Sequence, residues 1–255
     1  MMRNVKLVIE FDGTGYSGWM RQGKKPGIST VQSVLEDAVE KLTGERVTII
    51  GCSRTDAGVH ALNYVANFST ESTIPSENLY RALNPLLPPD IKVKSSETAV
   101  DHFHAVYSAK NKTYRYFFYF GETYRPLLQN RAWNAARKQP LPAEELLLRA
   151  NEACRYFIGT HDFTAFKASG GLAKTTVRTI LSARVSAFPE NLFYLEICGD
   201  GFLYNMVRII AGTVVGVIEG RFEPRQIEEM LLLRERKRAG MTAPPHGLYL
   251  YKVSY

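Results

Sequence analysis

The order of hydrophobic periodicities most limits how this chain can fold, because much the same order runs twice. Val5, Leu7, Ile9 and Phe11 are the apolar positions of a strand over 5–12 with one buried face. Val31, Val34, Leu35, Ala38, Val39 and Leu42 repeat at helical spacing. Ser29 and Gln32 stand at capping-box spacing before that helix, and Gly44 follows it. Strands are expected at 47–52 and 61–69, a short helix over 76–84, and a strand over 91–96. Pro85, Pro88 and Pro89 forbid continuation of the short helix.

The second half shows a strand over 113–120, a helix over 143–157 led by Pro142, and strands over 177–188 and 192–198. An apolar helix over 202–219 follows, then a helix from Pro224 to about Arg238 and a strand over 248–253. These orders, β-α-β-β-α-β and β-α-β-β-α-α-β, predict an α+β protein of two ferredoxin-like halves whose sheets join around a central basic cleft. The halves are read as 1–105 and 106–255, with the polar, arginine-rich stretch 121–140 as a connection.

At 255 residues and 45% hydrophobic, the chain is long enough for a substantial core. The net charge of +7 suggests a polyanionic partner. Cys52, Cys154 and Cys198 are odd in number and lack C-x-x-C spacing, which argues against a disulfide framework or a cysteine zinc site. The longest apolar run, 202–218, is short for a membrane span and contains Arg208. Gly212 and Gly216 in it allow close packing. The N-terminus runs straight into a strand with no signal peptide. Together these predict a cytoplasmic protein that does not engage a membrane.

Chemistry concentrates at Gly51-Cys52-Ser53-Arg54-Thr55-Asp56-Ala57-Gly58-Val59-His60-Ala61, between two expected strands. In extended backbone Arg54 and Asp56 project to one face, where the guanidinium favours an ionised carboxylate. Gly58 permits a sharp turn with positive φ. A surface Arg–Asp pair on a turn is the plainer reading of the same residues.

Other motifs weigh less. Gly13-Thr14-Gly15-Tyr16-Ser17-Gly18 matches a dinucleotide fingerprint, but Trp19, Gly23, Pro26 and Gly27 follow where a helix should start. A basic-aromatic loop of Tyr16, Trp19, Arg21, Lys24 and Lys25 suits bases and phosphates better. His102 and His104, with His60, could chelate a metal, although histidines also serve as plain hydrogen-bonding residues. Cys52 with His60 could form a thiol pair, but Cys52 fits packing. In Lys110-Asn111-Lys112-Thr113-Tyr114-Arg115-Tyr116, alternation sets Tyr114 and Tyr116 on one face, either buried or stacking on a base. Arg208 requires a partner if buried, and a carboxylate such as Asp56 is the logical type. Arg234-Glu235-Arg236-Lys237-Arg238 reads as a solvated helix end.

The stretch Ser53-Arg54-Thr55-Asp56-Ala57-Gly58-Val59-His60-Ala61 resembles the central motif of the tRNA pseudouridine synthase A family. Asp12-Gly13, Tyr16-Ser17-Gly18-Trp19, Phe103-His104-Ala105, Tyr114-Arg115-Tyr116, Asp162-Phe163-Thr164, Phe202, Met206-Val207-Arg208 and Gly247-Leu248-Tyr249-Leu250 extend the resemblance over nearly the whole chain. Ser53 stands where glycine is usual and Met20 where glutamine is common. The resemblance implies a cofactor-free, metal-free isomerase that converts uridines 38, 39 and 40 of the tRNA anticodon stem-loop to pseudouridine. It implies a homodimer with tRNA bound across both subunits. Asp56 is then the nucleophile, and Tyr114 stacks on the uracil, with a role as base open. Arg54 and Arg208 hold Asp56, Leu248 packs against the base, and Arg21 and His60 join the substrate-binding residues.

The chemistry fits those residues on its own terms. Moving uracil from N1 to C5 attachment needs a carboxylate that attacks or stabilises positive charge, and a pocket for an unstacked base. An aromatic face offsets part of the unstacking, roughly 1–3 kcal/mol per base. A basic RNA-binding module without catalysis and a metal-dependent hydrolase using Asp56, His60, His102 and His104 remain rival expectations.

Overall fold

The N-terminal alternation forms strand β1 (Arg3–Phe11), with Val5, Leu7, Ile9 and Phe11 buried and Glu10 exposed. The computed structural model describes residues 2–22, 29–136, 139–171 and 173–255, so the expected contribution of Lys24 and Lys25 lies outside the described residues. The chain divides into two compact units. One comprises Met1–Lys110 with Tyr249–Tyr255, the other Asn111–Leu248.

In the first unit, helix α1 (Val31–Thr43) buries Val31, Leu35, Ala38 and Val39. Its capping box is one residue later than expected. Thr30 accepts from the Ser33 amide at 3.2 Å and Ser33 Oγ accepts from the Thr30 amide at 3.2 Å. Gly44 ends the helix with φ 75° and donates to the Glu40 carbonyl.

The strand expected over 47–52 shortens to β2 (Ile50–Gly51). The cause lies in α1. The Glu36 carboxylate accepts the Ile49 amide at 3.0 Å, and Gln32 Nε2 donates to the Ile49 carbonyl at 3.1 Å. Side chains therefore take the main-chain groups a neighbouring strand would need.

Strand β3 (His60–Thr70), a helical stretch centred on α2 (Leu79–Leu83) and β4 (Ile91–Thr98) follow the expected order. β1 pairs antiparallel with both β3 and β4. The far edge of β3 takes β2 antiparallel at Ala66 and Asn67, and β10 (Leu248–Ser254) parallel at His60 and Ala61. The strand expected at the end of the second half thus pairs within the first unit.

The second unit orders its strands β5 (Asn111–Phe120), β9 (Leu192–Gly199), β8 (Val177–Phe188) and β7 (Gly159–Asp162), with antiparallel neighbours. The stretch expected as a connection contains β6 (Trp133–Ala136), parallel to β5. Neither β6 nor β7 has the alternating pattern that marks a strand in sequence. Helix α3 (Ala143–Arg155) follows Pro142, as expected. Helix α4 (Met206–Ile218) begins four residues after Phe202, where Asn205 adopts φ 60°. Helix α5 (Gln226–Leu233) stops well before Arg238, because Arg234 takes a left-handed conformation with φ 58°. Among the described residues no helix is long and apolar enough to cross a membrane.

Candidate active site

Arg54 and Asp56 lie in the irregular segment between β2 and β3, not on a strand, so the expected alternation of faces does not govern them. Arg54 is exposed and Asp56 half-buried. A turn closes this segment: the Val59 amide donates to the Asp56 carbonyl at 3.2 Å, with Gly58 at φ 78°. Behind it, Tyr64 Oη donates to the Ser53 carbonyl, and the Ser53 amide lies 3.3 Å from the same hydroxyl.

The glycine-rich loop after β1 backs this segment. Trp19 donates its amide to the Thr55 carbonyl at 3.2 Å, and Gly58 donates to the Tyr16 carbonyl at 3.4 Å. The fit requires glycine. A Cβ on Gly13 would meet the Val59 carbonyl oxygen, and one on Gly18, at φ 85°, the Thr55 carbonyl oxygen. The fingerprint-like spacing thus serves close packing of two backbones.

Tyr16 and Trp19 do not form the exposed aromatic platform expected of this loop. Trp19 is 3% exposed and stacks on Tyr64 with ring centroids 4.0 Å apart. Tyr16 is buried and donates to Asp90 Oδ1 at 2.7 Å. Burial foremost, then the Asp90 carboxylate, raises its phenol far above the ordinary tyrosine value. Arg21 remains half-exposed and pairs with Glu36 at 3.1 Å and Asp37 at 3.3 Å on α1.

His60, expected among the substrate-binding residues, is 2% exposed. Its ring stacks on Tyr249 at 4.6 Å. Nδ1 lies 3.1 Å from the Gly13 amide and 3.0 Å from Asp12 Oδ1. One nitrogen cannot both accept from Gly13 and donate to Asp12. The Gly13 amide points at it, and Asp12 Oδ1 already accepts two hydrogen bonds from Thr14, so we assign Nδ1 as acceptor and the proton to Nε2. Cys52 is wholly buried, in keeping with packing.

The second unit holds the remaining candidates. Tyr114 and Tyr116 are buried on one face of β5, and Tyr114 meets Phe202 edge-on with centroids 5.1 Å apart. Arg115, on the other face, pairs with Glu196 at 2.7 Å. Arg208 donates through Nε to the Ala243 carbonyl at 2.7 Å and through Nη1 to Asn205 Oδ1 at 2.8 Å. The left-handed Asn205 thus turns the chain into α4 and also orients the guanidinium. The Ala243 amide returns a hydrogen bond to the Arg208 carbonyl at 3.1 Å. Tyr116 Oη donates to the Pro244 carbonyl at 2.8 Å. Burial raises the Tyr116 phenol well above its ordinary value, against the opposing pull of Arg208. Burial foremost, then Arg208, lowers the His246 imidazole. Leu248 is buried just beyond this segment. Neither Asn205 nor the segment 239–246 stands out by motif; the signal available for Asn205 is an asparagine directly before an apolar helix.

A family model described as tRNA pseudouridine synthase matches residues 7–108 and 153–255. The chain belongs to the tRNA pseudouridine synthase family. It is 48% identical over 254 residues to a tRNA pseudouridine synthase A of Acetivibrio thermocellus, with 100% of each chain covered. It is 46% identical to the enzyme of that name from a Thermoanaerobacter species and to tRNA pseudouridine synthase A 2 of Clostridium tetani, again over 100% of both chains. Both matched segments carry candidates: Arg54, Asp56 and His60 fall in the first, Arg208 and Leu248 in the second. Tyr114 lies between the two. Among the described residues no group of three or more His, Cys, Asp or Glu side chains could hold a metal. His104 Nδ1 instead accepts from the Val106 amide at 3.2 Å, and its ring stacks on Tyr107.

Proposed function

We propose that this isomerase of tRNA uridines uses Asp56 as its nucleophile and acts on uridines 38, 39 and 40 of the anticodon stem-loop. The observation that carries the reading is the bracing of residues 53–59. Their main chain is held by Trp19, Tyr16 and Tyr64, while Asp56 itself stays half-exposed. A nucleophile on a fixed backbone keeps its geometry when RNA arrives.

The reaction breaks the N1–C1′ glycosidic bond, turns the uracil, joins C5 to C1′ and releases the C5 hydrogen as a proton. The Asp56 carboxylate attacks C6 of the base or C1′ of the sugar, and both routes end with that proton loss. Arg54 and Arg208 stabilise the carboxylate. Tyr114 offers its ring to the extruded uracil, Leu248 packs beside it, and Arg21 contacts the RNA backbone. The +7 net charge supports a polyanionic substrate. The reading includes a homodimer working in the cytoplasm without a cofactor. It also includes two ferredoxin-like halves at 1–105 and 106–255, for which the β4-β1-β3-β2 order in the first unit is the support.

Tritium release from tRNA labelled at uridine C5 tests this, with wild type beside Asp56→Ala. Release by wild type and none by a variant that still binds tRNA is the expected result. Equal release by both removes Asp56 from the centre. No release by wild type with binding intact leaves an RNA-binding module, and release abolished by a chelator points to metal chemistry. Unlabelling the uridines at 38, 39 and 40 should remove the signal; release that persists sinks the site choice.

A further inference from the structure

We infer that Arg236 is a positioning residue for the isomerisation, setting the guanidinium of Arg208 through the segment 239–243. The inference rests on the role proposed for Arg208. Arg236 lies in the charged run 234–238, which reads in sequence as a solvated helix end. Lys237 and Arg238 fit that description, both exposed and paired with Glu235 at 3.4 and 3.1 Å.

Arg236 departs from it. Its side chain turns inward, and among the described residues its partners are neutral oxygens: Nη1 donates to the Gly240 carbonyl at 2.9 Å and the Ala239 carbonyl at 3.4 Å, and Nη2 donates to Thr242 Oγ1 at 3.0 Å. Burial lowers its guanidinium from the usual arginine value. Hydrogen bonds from a charged donor are roughly twice as strong as neutral ones, so one side chain gathers residues 239–242 firmly.

That segment lies directly on α4. The Gly240 amide donates to Thr213 Oγ1 at 2.9 Å, and a Cβ on Gly240 would come within 2.6 Å of the Thr213 main chain. A Cβ on Gly212 would meet the Met241 carbonyl oxygen. Ala243, two residues beyond Met241, exchanges two hydrogen bonds with Arg208, one of them donated by the guanidinium. That carbonyl, with Asn205 Oδ1, helps set where the guanidinium points. Arg236 and Arg208 are thus linked through a few tightly held peptide units.

The test is a double-mutant cycle on the full chain, with Arg236→Ala, Arg208→Lys and the double variant. It reads kcat for tritium release at saturating tRNA, tRNA Kd, and thermal melting. The expected result is a loss in kcat on the order of tenfold for Arg236→Ala with Kd unchanged, shrinking to less than about twofold in the Arg208→Lys background. A merely structural contribution would lower kcat by the same factor in both backgrounds, and that result overturns the inference. So does an unchanged kcat, or a loss confined to Kd. If Arg208→Lys alone turns over like wild type, the role of Arg208 fails instead, and the two failures are distinguishable. Should Arg236→Ala not fold, Arg236→Lys and Thr242→Val, which thin the same set of hydrogen bonds, decide by the same cycle.

Discussion

The amide of Trp19 donates to the carbonyl of Thr55 at 3.2 Å, one residue ahead of Asp56. Trp19 is itself fixed by stacking on Tyr64, whose hydroxyl donates to the Ser53 carbonyl. Two buried aromatic rings therefore set the path of the segment that carries the carboxylate.

Gly18→Ala should test that bracing. The left-handed conformation costs an alanine about 1–2 kcal/mol, and the Cβ would push against the Thr55 carbonyl. We expect a lower melting temperature and a lower kcat for tritium release, with tRNA affinity retained. A kcat equal to wild type would show that the exact course of Thr55 is unimportant.

His60→Ala removes the acceptor of the Gly13 amide, which then stays buried without its partner at a cost of roughly 1–3 kcal/mol. His60→Asn places a side-chain oxygen near the lost Nδ1. The asparagine variant should recover part of the stability and turnover lost by alanine. If the two variants behave alike, the Gly13 hydrogen bond is not what His60 contributes.

The pH response of His246 follows from its surroundings. Its folded value lies below the unfolded value of about 6.5, because burial and Arg208 disfavour the imidazolium. The neutral ring's contribution is therefore full above the unfolded value and is lost as pH falls below it toward the folded value. A histidine NMR titration should find His246 below the ordinary range and Arg208→Gln should move it upward. A midpoint unmoved by that substitution would remove Arg208 as a cause.

Asp162 behaves as a carboxylate with a depressed value. Burial pushes it up, but hydrogen bonds from Thr164 and Thr176 and the charge of Arg234 together outweigh that. Its contribution is present above the unfolded aspartate value and is lost as pH falls through the folded one. Asp162→Asn should flatten the acid side of the stability profile. An unaltered acid limb would place the acid sensitivity elsewhere.

Periodicity made most elements legible. The apolar stripe of α1 and the alternation of β1 both point to buried faces, and both are buried. The shortening of β2 was not legible, because it depends on Gln32 and Glu36 reaching across to Ile49. The same limit hid the inward turn of Arg236, since a charge run carries no sign of which member finds carbonyls. Tyr16 and Trp19 show the converse error. Aromatics among glycines and cations suggested an open surface, yet the glycines let the loop pack so closely that both rings are covered. The segment 51–61 stood out by composition alone, but what holds it comes from the distant loop of Tyr16 and Trp19 and from Tyr64 on β3.

The parallel pairing of Tyr249 with His60 has a consequence during synthesis. Residues 111–248 leave the ribosome after β3 and before the strand that lies beside His60. At typical elongation rates this interval lasts on the order of 10 s. Throughout it, the His60 ring lacks the Tyr249 face on which it stacks, and the His60–Ala61 end of that edge of β3 lacks its neighbour. Within the Asp56-bearing unit the loop contacts of Tyr16, Trp19 and Tyr64 can therefore form before the pairing of β3 with β10, which waits until residues 111–248 have been made.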